Sequence, residues 1–434
     1  MSTVQSIRYA EPGEFTRRAF MNDRLDLTQV EALGDTLAAT TEQQRRLSVR
    51  GTSSSLATRY ESWRQQLLYA RGELEALIDF SEDQHFDESP AELCASVAEQ
   101  VRSLMRHLHI HSQNAVRGEL LRNGISISLL GAPNAGKSSL LNLIVGREAA
   151  IVSHEAGTTR DVVEVGLDLG GYFCRLSDTA GLRKARQAAL QDVQSHATIG
   201  QIEREGMRRA KERAVESDVV VVVLSFEGNG EESRLHLDEE VMEMAAKLAC
   251  TKDNIIVTIN KADMSRGQEL QDATQEVLAA LPGIARNRIH VISCKDAAFP
   301  SSGPRGAETD PGNIQGFLRG LIRQFGELTA ALAPDTADAG ADTSVWQESL
   351  GATARHRLLL EACLSHLTAF IAEVAPPEYG SHPNMLSEEE ADIVVAAEHL
   401  RSAADCLAKI TGRGYAGDVE EVLGVVFEKF CVGK

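Results

Sequence analysis

The chain has 434 residues, 43% of them hydrophobic and 25% charged. That balance excludes a disordered or fibrous chain and gives enough length for two or three domains with real cores. A net charge of −19 excludes a global basic field for nucleic acid, so any RNA contact must be a local patch or come through a partner.

Seven cysteines stand singly at 94, 174, 250, 294, 363, 406 and 431, with no CxxC pair. An odd number without paired spacing reads as free thiols in a reducing compartment. No apolar run approaches the ~20 residues that a membrane span needs. The first residues lack a signal-peptide core. They carry Arg8, Arg17 and Arg18, but Glu11 and Glu14 oppose a transit-peptide reading.

Residues 1–40 form a preamble with a turn at Pro12-Gly13. Asp26 or Thr28 is expected to cap the helix that follows, with Glu31 as the capping-box partner of Thr28. From 41 to 122 the pattern is helical. Leu47, Leu56, Trp63, Leu67, Leu68, Leu74, Leu77 and Ile78 recur mostly at three- and four-residue spacing. The acidic segment 81–90 interrupts it, and a second long helix resumes at Leu93. His107, His109 and His111 imitate a metal cluster, but i, i+2 spacing on a helix sends them to different faces.

Residues 123–332 change period. β-Branched runs at 125–130, 162–169, 172–177, 218–225, 255–259 and 288–292 alternate with helical stretches. That alternation predicts a mostly parallel sheet with helices on both faces. A small-residue acidic linker is expected at 333–344, and helices again at 345–434. Leu358, Leu359, Cys363, Leu367 and Phe370 are expected on one stripe. Ile393, Val394, Ala397, Leu400, Ala404, Leu407 and Ile410 are expected on another. Neither helical half buries its stripe alone, so the two should pack together as one all-α domain interrupted by an inserted α/β domain.

The inserted part carries the chemistry. Gly131 to Ser138 fits G-x-x-x-x-G-K-[ST] between a strand (125–130) and a helical start (139–145). Such a loop turns backbone N–H groups inward and aims a helix dipole at an anion. Asn134, Ala135, Gly136, Lys137, Ser138 and Ser139 would cradle the phosphates. Lys137 would reach the β/γ-phosphates and the Ser138 hydroxyl would ligate Mg²⁺. Gly157-Thr158-Thr159-Arg160-Asp161 precedes a strand and offers a threonine hydroxyl to Mg²⁺ and the γ-phosphate. Asp178-Thr179-Ala180-Gly181 fits D-x-x-G, with Asp178 on Mg²⁺ through water and Gly181 N–H on the γ-phosphate.

Asn260, Lys261 and Asp263 form N-K-x-D after the apolar run IIVTI. A carboxylate at Asp263 can accept both guanine N1–H and N2–H, which adenine does not offer. Ser293-Cys294-Lys295 would close over the base. Each motif alone is weak, but their order is that of a P-loop GTPase domain.

Leu182 follows the D-x-x-G motif where many GTPases carry a water-positioning glutamine, and leucine cannot orient water. Asn134 offers an amide oxygen beside the β/γ-phosphates, where a held monovalent cation would supply positive charge. Glu203 is a second candidate. Read alone it is first an ordinary solvated helix-face glutamate.

The segments Pro12 to Phe20, Asn22 to Leu27, GAPNAGKSSLLN, AIVSHEAGTTRD, DTAGLR, NKAD and the terminal Phe430-Cys-Val-Gly-Lys434 together resemble the MnmE (TrmE) family of tRNA modification GTPases and its mitochondrial counterparts. The resemblance spans nearly the whole chain. It implies a GTP hydrolase that pairs with a second copy through its G domains and N-terminal region. It also implies an FAD-dependent partner and modification at C5 of the wobble uridine of certain tRNAs. By motif position, Asn134, Ser153, Glu155 and Thr158 would hold K⁺, and Ser138 and Thr159 would hold Mg²⁺. Glu203 and Cys431 would be catalytic. Arg24 and Lys434 would contact a tetrahydrofolate derivative.

The family begins with a folate-binding domain about a hundred residues longer than the stretch 1–40, which would be the remnant of that α+β domain. Residues 184–200 lengthen the segment before Glu203. The mitochondrion is the expected location, with the cytoplasm as the alternative. The alternatives in function are a GTPase switch without folate chemistry, and an RNA-binding ribosome-assembly GTPase.

Overall fold

The computed structural model describes residues 8–80, 90–148, 150–153, 165–176, 208, 211–228, 233–265, 267–299, 310–334, 344–375 and 392–413. The chain divides into two compact units. One comprises residues 1–39, 44–122 and 330–434, and the other residues 40–43 and 123–329.

The first unit is helical. Its helices are Glu14–Met21, Leu27–Ala38, Glu42–Gly51, Ser55–Phe80, Pro90–Asn123, Ser344–Glu348, Ala354–Val374 and Ile393–Thr411. One apolar core draws on both ends of the sequence. Leu56, Leu67, Leu74, Val97 and Leu108 meet Leu360, Cys363, Phe370, Leu400, Leu407 and Ile410. Each fully buried leucine or phenylalanine contributes about 1.5–3 kcal/mol, so neither half keeps its fold without the other's face.

Two of the expected stripes shift. Leu358 is 58% exposed and Val394 62% exposed. The buried faces instead run Leu360-Cys363-Leu367-Phe370 and Ala396-Leu400-Ala403-Leu407. The 3-4-3 spacing of the first set follows the helical period more closely than a stripe begun at Leu358.

The cap of Leu27–Ala38 is Asp26. Its carboxylate accepts the Gln29 N–H while the Gln29 side chain accepts the Asp26 N–H. Thr28 donates to Asp26 instead of capping, and the expected partner Glu31 is drawn into a buried ion pair. Helix Ile393–Thr411 starts on Asp392, whose carboxylate accepts the Val394 and Val395 N–H groups, and it ends on Gly412 at φ 79°.

Asn114, fully buried, pins the chain where it re-enters this unit. Its amide donates to Leu332 O at 2.9 Å and to Ser349 Oγ at 2.8 Å, and its oxygen accepts the Leu332 N–H at 2.7 Å. One turn on, Gly118 lets the Leu350 carbonyl approach so closely that any Cβ would collide with it. Arg122 reaches Asp35 at 2.5 Å and the carbonyls of Gly351 and Ala352.

The second unit is built on one sheet. Its strands are β1 (Ile125–Leu130), β2 (Ala150–Ser153), β3 (Val165–Leu169), β4 (Tyr172–Leu176), β5 (Val219–Glu227), β6 (Arg234–His236), β7 (Ile255–Asn260) and β8 (Ile289–Val291). Their order is β2-β3-β4-β1-β5-β7-β8, with β6 paired to β5. β4, β1, β5, β7 and β8 run parallel; β2, β3 and β6 are antiparallel additions.

The all-valine start of β5 is buried on both sides, as a central parallel strand requires. Helices Lys137–Leu143, Glu239–Ala249, Gly267–Ala280, Cys294–Ala298 and Ile314–Thr329 complete the described part of this unit. The helix after the glycine loop is shorter than the sequence suggests: it passes into a π-helical turn at Ile144–Glu148.

Candidate functional site

The loop 131–136 leaves the C-terminal end of β1, one of the central parallel strands, where a parallel sheet offers its ligand crevice. Ala132 and Ala135 are buried, while Asn134, Ser138 and Ser139 are exposed. Asn134 sits in the left-handed region at φ 64° and Gly136 at φ 99°. Asparagine tolerates that conformation better than most residues, and glycine best of all.

Lys137 is folded back over the loop. Its ammonium donates to Gly131 O and Ala132 O, both at 2.7 Å. This holds a positive charge at the mouth of the loop, above backbone N–H groups that begin the Lys137–Leu143 helix.

Asn260 at the end of β7 ties this loop to the next one. Its Nδ2 donates to Ala135 O at 2.9 Å, and its Oδ1 accepts the Cys294 N–H at 3.2 Å. The Asn260 side chain lies so close to Gly136 that a Cβ there would collide with its amide. The glycine is therefore needed twice, for its φ and for this approach. Lys261 turns the chain at φ 60°, and the Ala262 N–H donates to Ile292 O at 3.1 Å.

Asp263 then meets the 293–295 loop. Its Oδ1 accepts Ser293 Oγ–H at 2.9 Å, and its Oδ2 lies 3.3 Å from Lys295 Nζ. The Asp263 side chain is only 13% exposed, against 75% for Lys295. A half-sheltered, pre-oriented carboxylate of this kind can accept two parallel N–H groups from a planar base. Burial, aided by the Asp263 charge, pushes the Cys294 thiol up to about 11, so it is a packing thiol and not a nucleophile.

The structure thus gathers Asn134, Ala135, Gly136, Lys137, Ser138 and Ser139 on one loop and helix start. It gathers Asn260, Lys261, Asp263, Ser293, Cys294 and Lys295 beside them at the ends of β7 and β8. Oxygen donors such as the Ser138 hydroxyl and the Asn134 amide suit hard cations like Mg²⁺ and K⁺.

Arg24 is exposed in the bend before Leu27–Ala38, in the helical unit. Ser153 ends β2, and nothing of its side chain is described. Glu155, Thr158, Thr159, Asp178, Thr179, Ala180, Gly181, Glu203, Cys431 and Lys434 lie outside the described residues.

Two parts of the site were not anticipated from the sequence. The first is Asn260 as a bridge between loops. The second is Gly312, whose carbonyl accepts the Ser293 N–H at 3.0 Å and whose φ is 77°. The D-P-G-N turn at 310–313 was the available signal, since Asp310 also caps the next helix through the Gln315 and Gly316 N–H groups. Of the three histidines at 107, 109 and 111, His109 is exposed and His111 fully buried. No group of three metal ligands occurs among the described residues.

Known proteins resemble the chain along its length. The family model for the MnmE helical domain matches residues 27–431. The tRNA modification GTPase MnmE of Paramagnetospirillum magneticum is 37% identical over 428 residues, which cover 99% of this chain and 77% of that protein. The mitochondrial tRNA modification GTPase mss1 of Schizosaccharomyces pombe is 34% identical, covering 100% of this chain and 76% of that one. The mitochondrial 5-taurinomethyluridine tRNA synthase subunit GTPB3 of Homo sapiens is 33% identical over 100% of this chain and 74% of its own.

Proposed function

We infer how this chain works from a plain premise: it belongs to the MnmE family of tRNA modification GTPases. It is a GTP hydrolase acting in tRNA modification. The observation that carries the nucleotide reading is the Asn260 bridge, which fixes the phosphate loop at Ala135 and the base loop at Cys294 in one register.

In this reading Asp263 selects guanine by accepting two N–H groups, with Ser293 and Lys295 holding its orientation. Lys137 moves from the loop carbonyls to the β/γ-phosphates when nucleotide enters. Ser138 and Thr159 would hold Mg²⁺, and Asn134, with Ser153, Glu155 and Thr158, would hold K⁺. When bound, these ions would supply positive charge where the transferred phosphoryl group develops negative charge. Leu182 cannot orient water, so Glu203 takes that role.

Two G domains meet to hydrolyse GTP, and their meeting and parting gates an FAD-dependent partner that carries out the carbon chemistry on the wobble uridine. Cys431 lies at the modification site, and Arg24 and Lys434 contact the folate derivative. The mitochondrion is the proposed location, since two of the matched relatives bear mitochondrial names. No helix among the described residues is long and apolar enough to cross a membrane.

Base exchange tests the reading. Asp263→Asn presents an amide donor where guanine needs an acceptor. It should lower GTP affinity by about a hundredfold or more and raise affinity for xanthosine triphosphate, whose O2 accepts that donor. Unchanged preference between the two nucleotides would overturn the assignment of Asp263.

A further inference from the structure

Ser293, at the start of the Cys294–Ala298 helix, is buried and makes three hydrogen bonds. Its N–H donates to Gly312 O at 3.0 Å. Its Oγ accepts the Asp296 N–H at 3.1 Å, and its hydroxyl proton goes to Asp263 Oδ1 at 2.9 Å. The bond from Asp296 fixes the oxygen, and a serine hydroxyl has a single proton to give. Where the backbone of Ser293 sits therefore decides how the Asp263 carboxylate is held.

The turn at 310–313 fixes that backbone. Gly312 packs so tightly against Ser293 that a Cβ on it would collide with the Ser293 carbonyl, and its φ is 77°. Asn313, at φ 54°, donates from Nδ2 to Val291 O at 2.9 Å, two residues before Ser293. The turn is itself anchored. The Asp310 carboxylate accepts the Gln315 and Gly316 N–H groups, and the Ile314–Thr329 helix that follows buries Phe317, Leu321 and Phe325. The next amide along, Cys294 N–H, goes to Asn260 Oδ1 at 3.2 Å. Two consecutive amides are thus held by two separate elements, the end of β7 and the 310–313 turn. The Ser293 hydroxyl cannot shift without breaking one of these ties.

Lys295 also meets Asp263, at 3.3 Å, but its ammonium is exposed and such a pair adds little. Orienting the carboxylate falls to Ser293. A carboxylate accepts two parallel N–H groups only when its own plane matches theirs. A rotation that keeps the bond to one of them loses the other. In a purine the second of these donors is the 2-amino group, which hypoxanthine lacks.

We propose that the 310–313 turn sets the selection of a 2-amino purine. Gly312 and Asn313 are positioning residues that hold the Asp263 carboxylate in the base plane, acting through Ser293. This rests on the reading of Asp263 as the guanine acceptor.

The test uses the full chain and compares GTP with inosine triphosphate, which keeps N1–H and lacks the 2-amino group, in competition with a fluorescent GTP analogue. The parent should prefer GTP roughly 10–100-fold, the worth of one hydrogen bond to a charged acceptor. Gly312→Ala should cut that preference to about threefold or less. Asn313→Gly releases Val291 O at an exposed position without straining the backbone, and should cut the preference by about threefold. Leu321→Ala takes a core side chain from the same helix; it should lower the urea midpoint and keep the parent's preference. If Gly312→Ala fails to fold, Asn313→Gly decides.

A purely structural turn would weaken both nucleotides by the same factor in the turn variants, and that result overturns the proposal. A preference lost equally in Leu321→Ala overturns it too, since selection would then follow the stability of the helix. A parent that binds the two nucleotides alike overturns the Asp263 reading and the proposal with it. A parent that discriminates, beside turn variants that discriminate as well, overturns the turn alone.

Discussion

Asn260 Nδ2 donates to the carbonyl oxygen of Ala135 at 2.9 Å, joining the end of β7 to the phosphate loop 125 residues earlier in the chain. Together with its bond to the Cys294 N–H, this makes one side chain the hinge pin of three loops. Asn260→Ala should remove both bonds and weaken GTP binding by about 2 kcal/mol, roughly thirtyfold, in a titration with a fluorescent GTP analogue. Gly136→Ala should be worse, because it brings both backbone strain at φ 99° and a collision with Asn260. Combining the two substitutions should relieve the collision and recover only part of the affinity. Full recovery would show that φ at 136 is not strained.

Glu31 and Arg355 form the matching tie in the helical unit. The guanidinium reaches the carboxylate at 2.8 and 3.2 Å and also donates to the carbonyls of Lys409 and Ile410, which end the Ile393–Thr411 helix. Arg355→Met leaves the buried Glu31 carboxylate with His356 as its one remaining partner at 2.7 Å and uncaps that helix, and should cost about 2–3 kcal/mol in urea unfolding. Glu31→Gln added to it should regain a good part of the loss. If the double variant is as unstable as the single one, the cost lies in the helix end and not in the under-compensated charge.

Acid should destabilise the helical unit in two steps. Burial, with Arg59 and His107 nearby, depresses His111 to about 3, and neither ring nitrogen has a hydrogen-bond partner among the described residues. The unfolded chain protonates this histidine below its ordinary 6.5 and the folded chain does not until about 3. Its contribution is therefore complete above 6.5 and is lost as pH falls from there toward 3. Burial would push Glu31 up, but His356 and Arg355 outweigh it and hold Glu31 at about 2. Its contribution is complete above 4.5 and is lost as pH falls toward 2. His111→Phe, packed against Trp63 at 4.6 Å, should flatten the urea midpoint between pH 6.5 and 4.5 and raise stability at neutral pH by about 1 kcal/mol. A slope in that window as steep as the parent's would remove His111 from the account.

Turnover should depend on the monovalent cation. Asn134 keeps an exposed side chain at φ 64° beside the phosphate loop, and Leu182 supplies no water-positioning group. Exchanging K⁺ for Na⁺ at constant ionic strength should slow GTP hydrolysis at least about tenfold, and Asn134→Ala should erase the difference between the salts. Equal rates in the two salts for the parent chain would dispose of the cation site.

The nucleotide loops were legible because each is a local pattern in which strand, turn and polar residue fall within a few positions. The ties between them were not. Glu31 and Arg355 stand 324 residues apart, and nothing near Glu31 distinguishes an ion-pair partner from a capping-box residue. Thr28-x-x-Glu31 satisfied the local rule, but a half-buried guanidinium and a buried imidazole claimed the carboxylate. The short edge strand β6, Arg234–His236, has no alternation to reveal it, and only pairing with β5 makes it a strand. Leu358 and Val394 are apolar neighbours of the stripes, yet the helices are rotated so that Leu360 and Ala396 face inward.

The core that joins Leu56 and Leu67 to Leu360 and Phe370 has a cost in time. During synthesis the ribosome must deliver roughly two hundred residues of the sheet unit after Arg122 before the returning helices exist. At ordinary elongation rates the first long helices wait on the order of 10–40 s with their apolar faces uncovered. The sheet unit, contiguous apart from residues 40–43, can close on its own in that interval. Until then the helices, more than the sheet, leave apolar faces open to other chains, and Asn114 latches only when Leu332 and Ser349 arrive.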